Sequence, residues 1–392
     1  MIDPSKFAAA LSLETDPVAA ALDVSGQIAA QMGGSAITLA VVFATPSLCV
    51  DPWSLLEALH DGLAPQHLIG CTGEAVIGGT REIEGAPALT VWCAALPRVA
   101  VETFRLSLEN IEGVDEVVGW PALPGDGTPT PMLVVTDPFT FPADLMIAQH
   151  NASNSTHALI GGLASGGRRA GEHVLFHDRD VHFDGGVGVQ LPGAHVLPVV
   201  SQGCAPIGPD MVITEGGGPV VAELAGINAF DKITGVVDEL TDEERHLLRQ
   251  PLLAGIVINE NQPEYGRGDF LVRGIHGRDP DTGAVYIGEH IRVGQTFRLH
   301  VRDAHSADND LRMALREVRE RAGGNEPKAA LVFTCNGRGV HMFGTPDHDA
   351  AAIGHELGVP TAGVFCNGEI GPVGGRSFLH GFTATMAVFL DK

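Results

Sequence analysis

The sequence predicts an α/β fold of two similar lobes, each built of repeated strand–helix–strand units, with sheets packed face to face and helices outside. Three observations carry that expectation. Short apolar runs rich in branched residues alternate with amphipathic runs along most of the chain, many of the apolar runs end in a glycine-rich turn, and one such turn occurs twice in almost the same form. Alternating strand and helix patterns are the mark of construction in which helices cover the faces of a sheet.

The elements follow in order. Residues 36–45 (AITLAVVFAT) form an apolar run of strand length with branched side chains, which predicts a buried strand. Asp51 and Pro52 supply an N-cap and a first helical residue, Leu55, Leu56 and Leu59 share a face, and Gly62 is expected to end the helix. Leu68–Cys71 is the next strand, closing in Cys-Thr-Gly-Glu, and a further strand lies around 89–95. The same order returns with a strand at 132–136, a helix at 143–150 and a strand at 158–162 that runs into GGLASGG. It returns again with a strand at 329–334 entering CNGRG, a helix from Asp347 with Ile353 and Leu357 inward, and a strand at 361–365 entering CNGE. LIGCTGEAVIGG (68–79) and GVFCNGEIGPVGG (363–375) share Cys, then Gly-Glu, then Gly-Gly, and HALIGGLASGG (157–167) echoes them more weakly. This is a degenerate internal repeat.

Between about 200 and 325 the pattern changes. Gly216–Pro219 predicts the start of a helix running to Ala229, and Thr241 with Glu244 forms a capping-box signature. Residues 252–259, 269–275, 285–287 and 296–301 read as strands, the last three with the alternation of antiparallel pairing. Asp308–Ala322 places Leu311, Leu315, Val318 and Ala322 at helical spacing. The glycine-rich stretch near 203–218 is the expected boundary. It divides the chain into an N-terminal helical extension (1–35), an N-terminal domain (36–203) and a C-terminal domain (204–392).

Composition narrows the function. Lys and Arg number 24 against 48 Asp and Glu, a formal charge of −24, which argues against nucleic acid or an anionic membrane as partner. The six cysteines are spread out with no Cys-x-x-Cys pair, so reduced thiols are expected. The start of the chain lacks the features of a signal peptide, and no apolar run is long enough to span a bilayer. A cytoplasmic location is expected. The 17 histidines form neither His-Glu-x-x-His nor His-x-x-Glu-His, and no P-loop occurs, so no metal or cofactor is expected.

The chemistry is expected at the paired turns. Gly-rich turns at strand ends aim N–H groups at whatever lies above them. Arg338 in the first turn offers a fork suited to a carboxylate, and Glu369 in the second can accept an ammonium, so the pair suits a zwitterion. The expected ligand-binding set is Cys335, Asn336, Arg338, Cys366, Asn367 and Glu369, with Cys71 and Glu74 of the related turn and His380. A blander reading pairs Arg338 with Glu369 to staple two loops. The alternative function is a cysteine-dependent hydrolase or acyltransferase using Cys335 or Cys366, with His341 or His380 as base. A third reading is an adaptor that recruits proteins through an exposed apolar patch. No catalytic residue is assigned.

LVFTCNGRG, GVPTAGVFCNGEIGPVGG and FLHGFTATMAVF resemble the C-terminal half of FIST domains, and VITEGGGPVVAELAGINAFD resembles the start of that half. Residues 36 to about 198, with LIGCTGEAVIGG near their centre, are similar to the N-terminal half. The resemblance implies a sensory, small-ligand-binding module of signalling proteins, with amino acids as its ligands. FIST-like sequence nearly fills the chain, which implies a stand-alone sensor acting through a signalling protein partner.

Overall fold

One motif of strands and helices recurs three times in this chain, as seen in a computed structural model that describes residues 5–153, 157–248, 251–266 and 268–391. The first copy opens with strand β1 (Lys6–Ser12) and helix α1 (Pro17–Met32). It continues through β2 (Leu39–Ala44), α2 (Pro52–Leu63), β3 (His67–Thr72), a hairpin of β4 (Ala75–Gly78) and β5 (Arg81–Glu84), and a last strand β6 (Leu89–Ala95). The second runs through β7 (Glu102–Ile111), β8 (Val114–Val118), β9 (Met132–Thr136), α3 (Ala143–Ser153) and β10 (Leu159–Leu163). A hairpin of β11 (Leu175–His177) and β12 (Asp180–His182) and a last strand β13 (Gly186–Gln190) complete it.

Strand β14 (Val196–Gln202) leads the third copy, and the chain then enters a different unit. That unit holds β15 (Cys204–Leu224), β16 (Ile227–Asn228), α4 (Ala229–Glu239), α5 (Asp242–Leu247), β17 (Leu252–Val257), β18 (Phe270–Arg278), β19 (Val285–Ile291) and β20 (Thr296–Arg302). Helix α6 (Ala304–Arg321) follows. The third copy resumes with β21 (Pro327–Cys335), α7 (Val340–Phe343), α8 (His348–Glu356), β22 (Thr361–Cys366), the hairpin β23 (Glu369–Val373) and β24 (Arg376–His380), and β25 (Thr383–Leu390). The two compact units are Met1–Val200 with Leu311–Leu379 and Thr383–Lys392, and Ser201–Asp310 with His380–Phe382.

Within the first unit each copy lays its strands in the same order, β1-β6-β2-β3, β7-β13-β9-β10 and β14-β25-β21-β22. The first and second strands are parallel and the last strand runs antiparallel to the first. Each sheet is completed by another copy's hairpin: β11–β12 beyond β3, β23–β24 beyond β10, and β4–β5 beyond β22. The hairpins are thus exchanged in a closed cycle, a pseudo-three-fold topology.

The parallel strands read as unbroken apolar runs because both faces are covered. On the inner faces Val41, Phe43, Val135, Ile160, Phe333 and Val364 share one core. Outside, α1 and α2 cover the first sheet through Val24, Ile28, Leu55 and Leu59, α3 covers the second through Met146, and α6 and α8 cover the third through Leu315, Val318 and Ile353. The fold is α/β, of repeated units with packed sheets and helices outside. Asp51 caps α2 as its sequence predicts, its side chain accepting the Ser54 N–H. The helix passes Gly62, however, and ends at left-handed Ala64 (φ 46°). Gly62 serves packing instead, since a Cβ there would lie 2.3 Å from Ser25 Oγ on α1. The first 35 residues contribute strand β1 as well as a helix.

In the second unit the strand order is β16-β15-β19-β18-β17-β20, and β15 also pairs with β20, closing a small antiparallel barrel. Strand β15 manages both partners by bending at irregularities between Ile207 and Met211 and between Gly218 and Val220. The helix expected from Gly216 to Ala229 is this strand. Pro219 sits at the second irregularity, where a missing N–H costs no ladder bond, and Val220 and Val221 favour extended backbone. Helix α4 begins only at Ala229, capped by Asn228, and buries Ile233 and Val236 against Ile207, Met211 and Leu299.

Candidate functional site

Strands β21 and β22 pair with Cys335 opposite Cys366, so the two Cys-Asn-Gly turns leave the sheet side by side. Asn336 N–H donates to the Cys366 carbonyl at 2.9 Å, and Asn336 Nδ2 donates to Asn367 Oδ1 at 2.9 Å. Asn367 in turn donates from its backbone to the Leu163 carbonyl (3.1 Å) and from Nδ2 to the Ala164 carbonyl (3.0 Å). The turn after β10 therefore joins the group, and Ser165 N–H reaches the Thr72 carbonyl of the third at 3.1 Å. Cys71 is buried in β3, opposite Phe43, and Glu74 is exposed just beyond it. His380 is buried, in the segment that belongs to the second unit.

Arg338 is enclosed, 1% exposed, and its fork is closed on Asp349: Nε to Oδ2 at 2.6 Å and Nη2 to Oδ1 at 2.9 Å. Thr334 Oγ1 and His348 Nδ1 also contact this carboxylate, at 3.2 and 2.9 Å. Burial pushes the Asp349 carboxyl upward, but Arg338 and the bond from His348 outweigh it and hold the group well below the usual carboxylate range. The carboxylate that this guanidinium grips thus comes from the start of α8, neither from Glu369 nor from an open rim.

Glu369 is fully buried and accepts from Thr383 N–H (3.1 Å) and Oγ1 (2.8 Å), and its Oε1 has no partner among the described residues. Burial drives its carboxyl up to about 8, against the Thr383 bonds and the Arg338 charge. Burial thus favours its protonated form relative to an ordinary carboxyl. Glu82, on the exchanged strand β5, accepts the Ala350 N–H at the start of α8 at 3.0 Å, and burial with the nearby Asp349 charge pushes it to about 7.

Burial and the neighbouring Glu369 push the Cys366 thiol far up, the reverse of what a nucleophilic cysteine needs. A buried pair that the sequence does not announce, His173 and Asp137, meets at 2.8 Å. His173 Nε2 accepts the Gly167 N–H at 3.1 Å, which leaves Nδ1 to donate to Asp137. Asp137 Oδ2 accepts from Thr140 N–H and Oγ1. Every polar atom of this pair is satisfied, and it fastens the loop after β10. No group of three or more His, Cys, Asp or Glu among the described residues is arranged to hold a metal. A cavity of about 550 Å³ lies at the other end of the strands, lined by none of the expected ligand-binding residues.

Three copies of a strand–helix–strand unit, with turns meeting at their strand ends, define an α/β protein of repeated build. Residues 38–227 match the FIST N domain and residues 229–372 the FIST C domain, so the chain belongs to the FIST family, whose domains are sensory domains of signal transduction. The uncharacterized protein MT0897 of Mycobacterium tuberculosis is 41% identical over 374 residues, 95% of either chain, and the uncharacterized protein Rv0628c of the same species is 41% identical over 383 residues, 97% of this chain and 98% of that one. An F-box/LRR-repeat protein of Arabidopsis thaliana is 30% identical over 101 residues, 25% of this chain and 19% of its own. Among solved structures, T. maritima PurL complexed with ATP aligns over 99% of this chain and 72% of that one at 11% identity with a TM-score of 0.23, too low to bear on the fold. No helix among the described residues is long and apolar enough to cross a membrane.

Proposed function

We propose that this chain is a sensory protein of the cytoplasm that binds an amino-acid-like metabolite at the paired turns and reports it through a signalling protein partner. The observation that carries this reading is the pairing of Cys335 with Cys366, which sets the Asn336 and Asn367 amides on one rim at the ends of two parallel strands. Ligands of α/β proteins bind at that end of the strands. Asn336 Oδ1 has no partner among the described residues and can accept from an ammonium, as can the exposed Glu74 carboxylate on the adjoining turn. Asn367 Nδ2, with one proton beyond its bond to Ala164, is the donor offered to the carboxylate of the ligand, while the buried Cys71, Cys335 and Cys366 back the turns. Arg338, held by Asp349, acts through its charge. Glu369, buried just beyond the second turn, completes the set as a group that responds to the bound charge.

An ammonium held at Asn336 Oδ1 acts through space on the Glu369 carboxyl, which burial raises, and favours its ionised form, so binding is accompanied by proton release. Calorimetric titration of the full chain with amino acids, in two buffers of different ionisation enthalpy, tests this. Saturable binding of one amino-acid class is expected, weakened about tenfold or more by Asn367→Ala, as expected for loss of a hydrogen bond to a charged group. Flat titrations throughout, or an Asn367→Ala variant that binds as well as the parent, would rule the turns out.

A further inference from the structure

We infer that the first unit carries a second binding site at the end of its strands remote from the paired turns, built to take a small carboxylic acid with an apolar body. The last strands of the three copies run antiparallel to the first strands, so the segments that follow them gather at that remote end. These segments, Leu96–Val99 after β6, Gly193–His195 after β13 and Leu390–Asp391 at the end of β25, all line the cavity of about 550 Å³. That volume lies within the range of small-molecule sites. The site draws on all three copies and exists because their cycle closes.

Its chemistry is two-sided. Phe7 and Phe389 line it, their rings 5.5 Å apart, and both pack on the buried Trp92, at 5.5 and 4.8 Å. Val99 and Leu96 add apolar wall. Two cations are at the edge: Arg98, which is exposed and makes no ion pair or hydrogen bond among the described residues, and Lys328. Lys328 is already held by Glu326 (3.0 Å) and Asp391 (3.2 Å), which leaves Arg98 as the uncommitted charge. In a chain of formal charge −24, a free guanidinium beside an aromatic wall selects a monoanion carrying a hydrophobic group. The three copies give this cavity its shape, and at its edge Arg98 stands unpaired while Lys328 is balanced by Glu326 and Asp391.

Trp92 makes the test direct. In a Trp53→Phe, Trp120→Phe background Trp92 is the single tryptophan, since the chain has three. Its fluorescence is followed while phenylacetate, 4-methylpentanoate or the neutral phenylacetamide is added to the full chain. The expected result is a saturable change with both carboxylates and at least tenfold weaker binding of the amide. Arg98→Ala should remove the preference for carboxylate over amide, and Ala194→Phe, which fills the cavity and spares Arg98, should abolish the response. Asn367→Ala, at the other end, should leave it unchanged, so this site and the turn site stand or fall separately. No saturable change up to about 10 mM, a weak binding regime by any standard, overturns the inference. So does equal binding of acid and amide, or an Arg98→Ala variant that keeps the preference.

Discussion

Ser165 Oγ donates to the Phe365 carbonyl at 2.5 Å, although the two residues lie 200 positions apart. The same oxygen accepts the Glu74 N–H at 2.8 Å. One hydroxyl of the second copy therefore ties together the turns of the first and third. Ser165 stands where the other two copies carry Glu74 and Glu369, so the position at which the repeat looks weakest in sequence is the one that joins it in space.

Replacing Ser165 by alanine leaves a buried carbonyl without its donor and an amide without its acceptor. A loss of roughly 1–3 kcal/mol is expected, the desolvation cost of unpaired buried groups. Urea unfolding of Ser165→Ala measures it, and a variant within a few tenths of the parent would mean that other groups hold the turns together.

Arg338 and Asp349 are a fully enclosed ion pair, and such pairs are costly to break and cheap to replace. Arg338→Met or Asp349→Leu alone should cost about 3–5 kcal/mol, because each leaves a charge buried without its counterpart. The double variant should lose clearly less than the sum of the two. Additive losses in a double-mutant cycle would show that the pair is not coupled.

Two acids on either side of that pair set a pH dependence. The folded-state values of Glu82, about 7, and Glu369, about 8, lie above the ordinary 4.5, so the folded chain holds more protons than the unfolded one in the window between. Stability is then highest at the low end of this window and falls as pH rises through it. Asp349 runs the other way, its contribution being lost only when pH falls below the usual carboxylate range. Glu82→Gln, which keeps an acceptor for the Ala350 N–H, should flatten part of the decline. Its stability relative to the parent should rise by on the order of 2 kcal/mol between pH 5 and 8. Parallel pH curves for parent and variant would place the ionisation elsewhere.

What could be read from the sequence follows from locality. Strands β2, β9 and β22 were legible because a strand covered on both faces is an unbroken apolar run, and α2 because Asp51-Pro52 is a local start signal. The second copy was faint for a physical reason: at Gly162, the position of Cys71 and Cys366, a Cβ would lie 2.5 Å from Cys366 Sγ, so the cysteine of the motif does not fit there. The exchange of hairpins was illegible, since strands as short as β4 and β5 carry no mark of which sheet receives them. The adjacency of the Cys-Asn-Gly turns could be anticipated from their shared context. The partner of Arg338 could not, because choosing Asp349 over Glu369 depends on where α8 begins in space. The axial cavity left no motif at all, being lined by segments from three distant parts of the chain.

The closest backbone approach in the repeats yields the last prediction. Gly70 pairs with Val42 and Gly161 with Val134, at equivalent places in the first two copies. A Cβ would sit 2.1 Å from the Val42 oxygen and 1.8 Å from the Val134 oxygen. Neither obstacle is a side chain that can swing aside, so the parallel strands themselves must separate. Overpacking of this kind costs typically 1–3 kcal/mol and here falls at the upper end or beyond. In the third copy Phe365 takes the matching place opposite Thr334, and the close approach moves to Gly363 opposite Val332. Alanine at 161 should therefore be more damaging than alanine at Gly26, where nothing lies within 4 Å of a new Cβ. At Gly26, inside α1, alanine should be neutral or stabilising by up to about 1 kcal/mol. Thermal unfolding of the two variants in parallel distinguishes a glycine required by strand contact from one that merely occupies a helix, and equal melting temperatures would contradict the packing described for the parallel pairs.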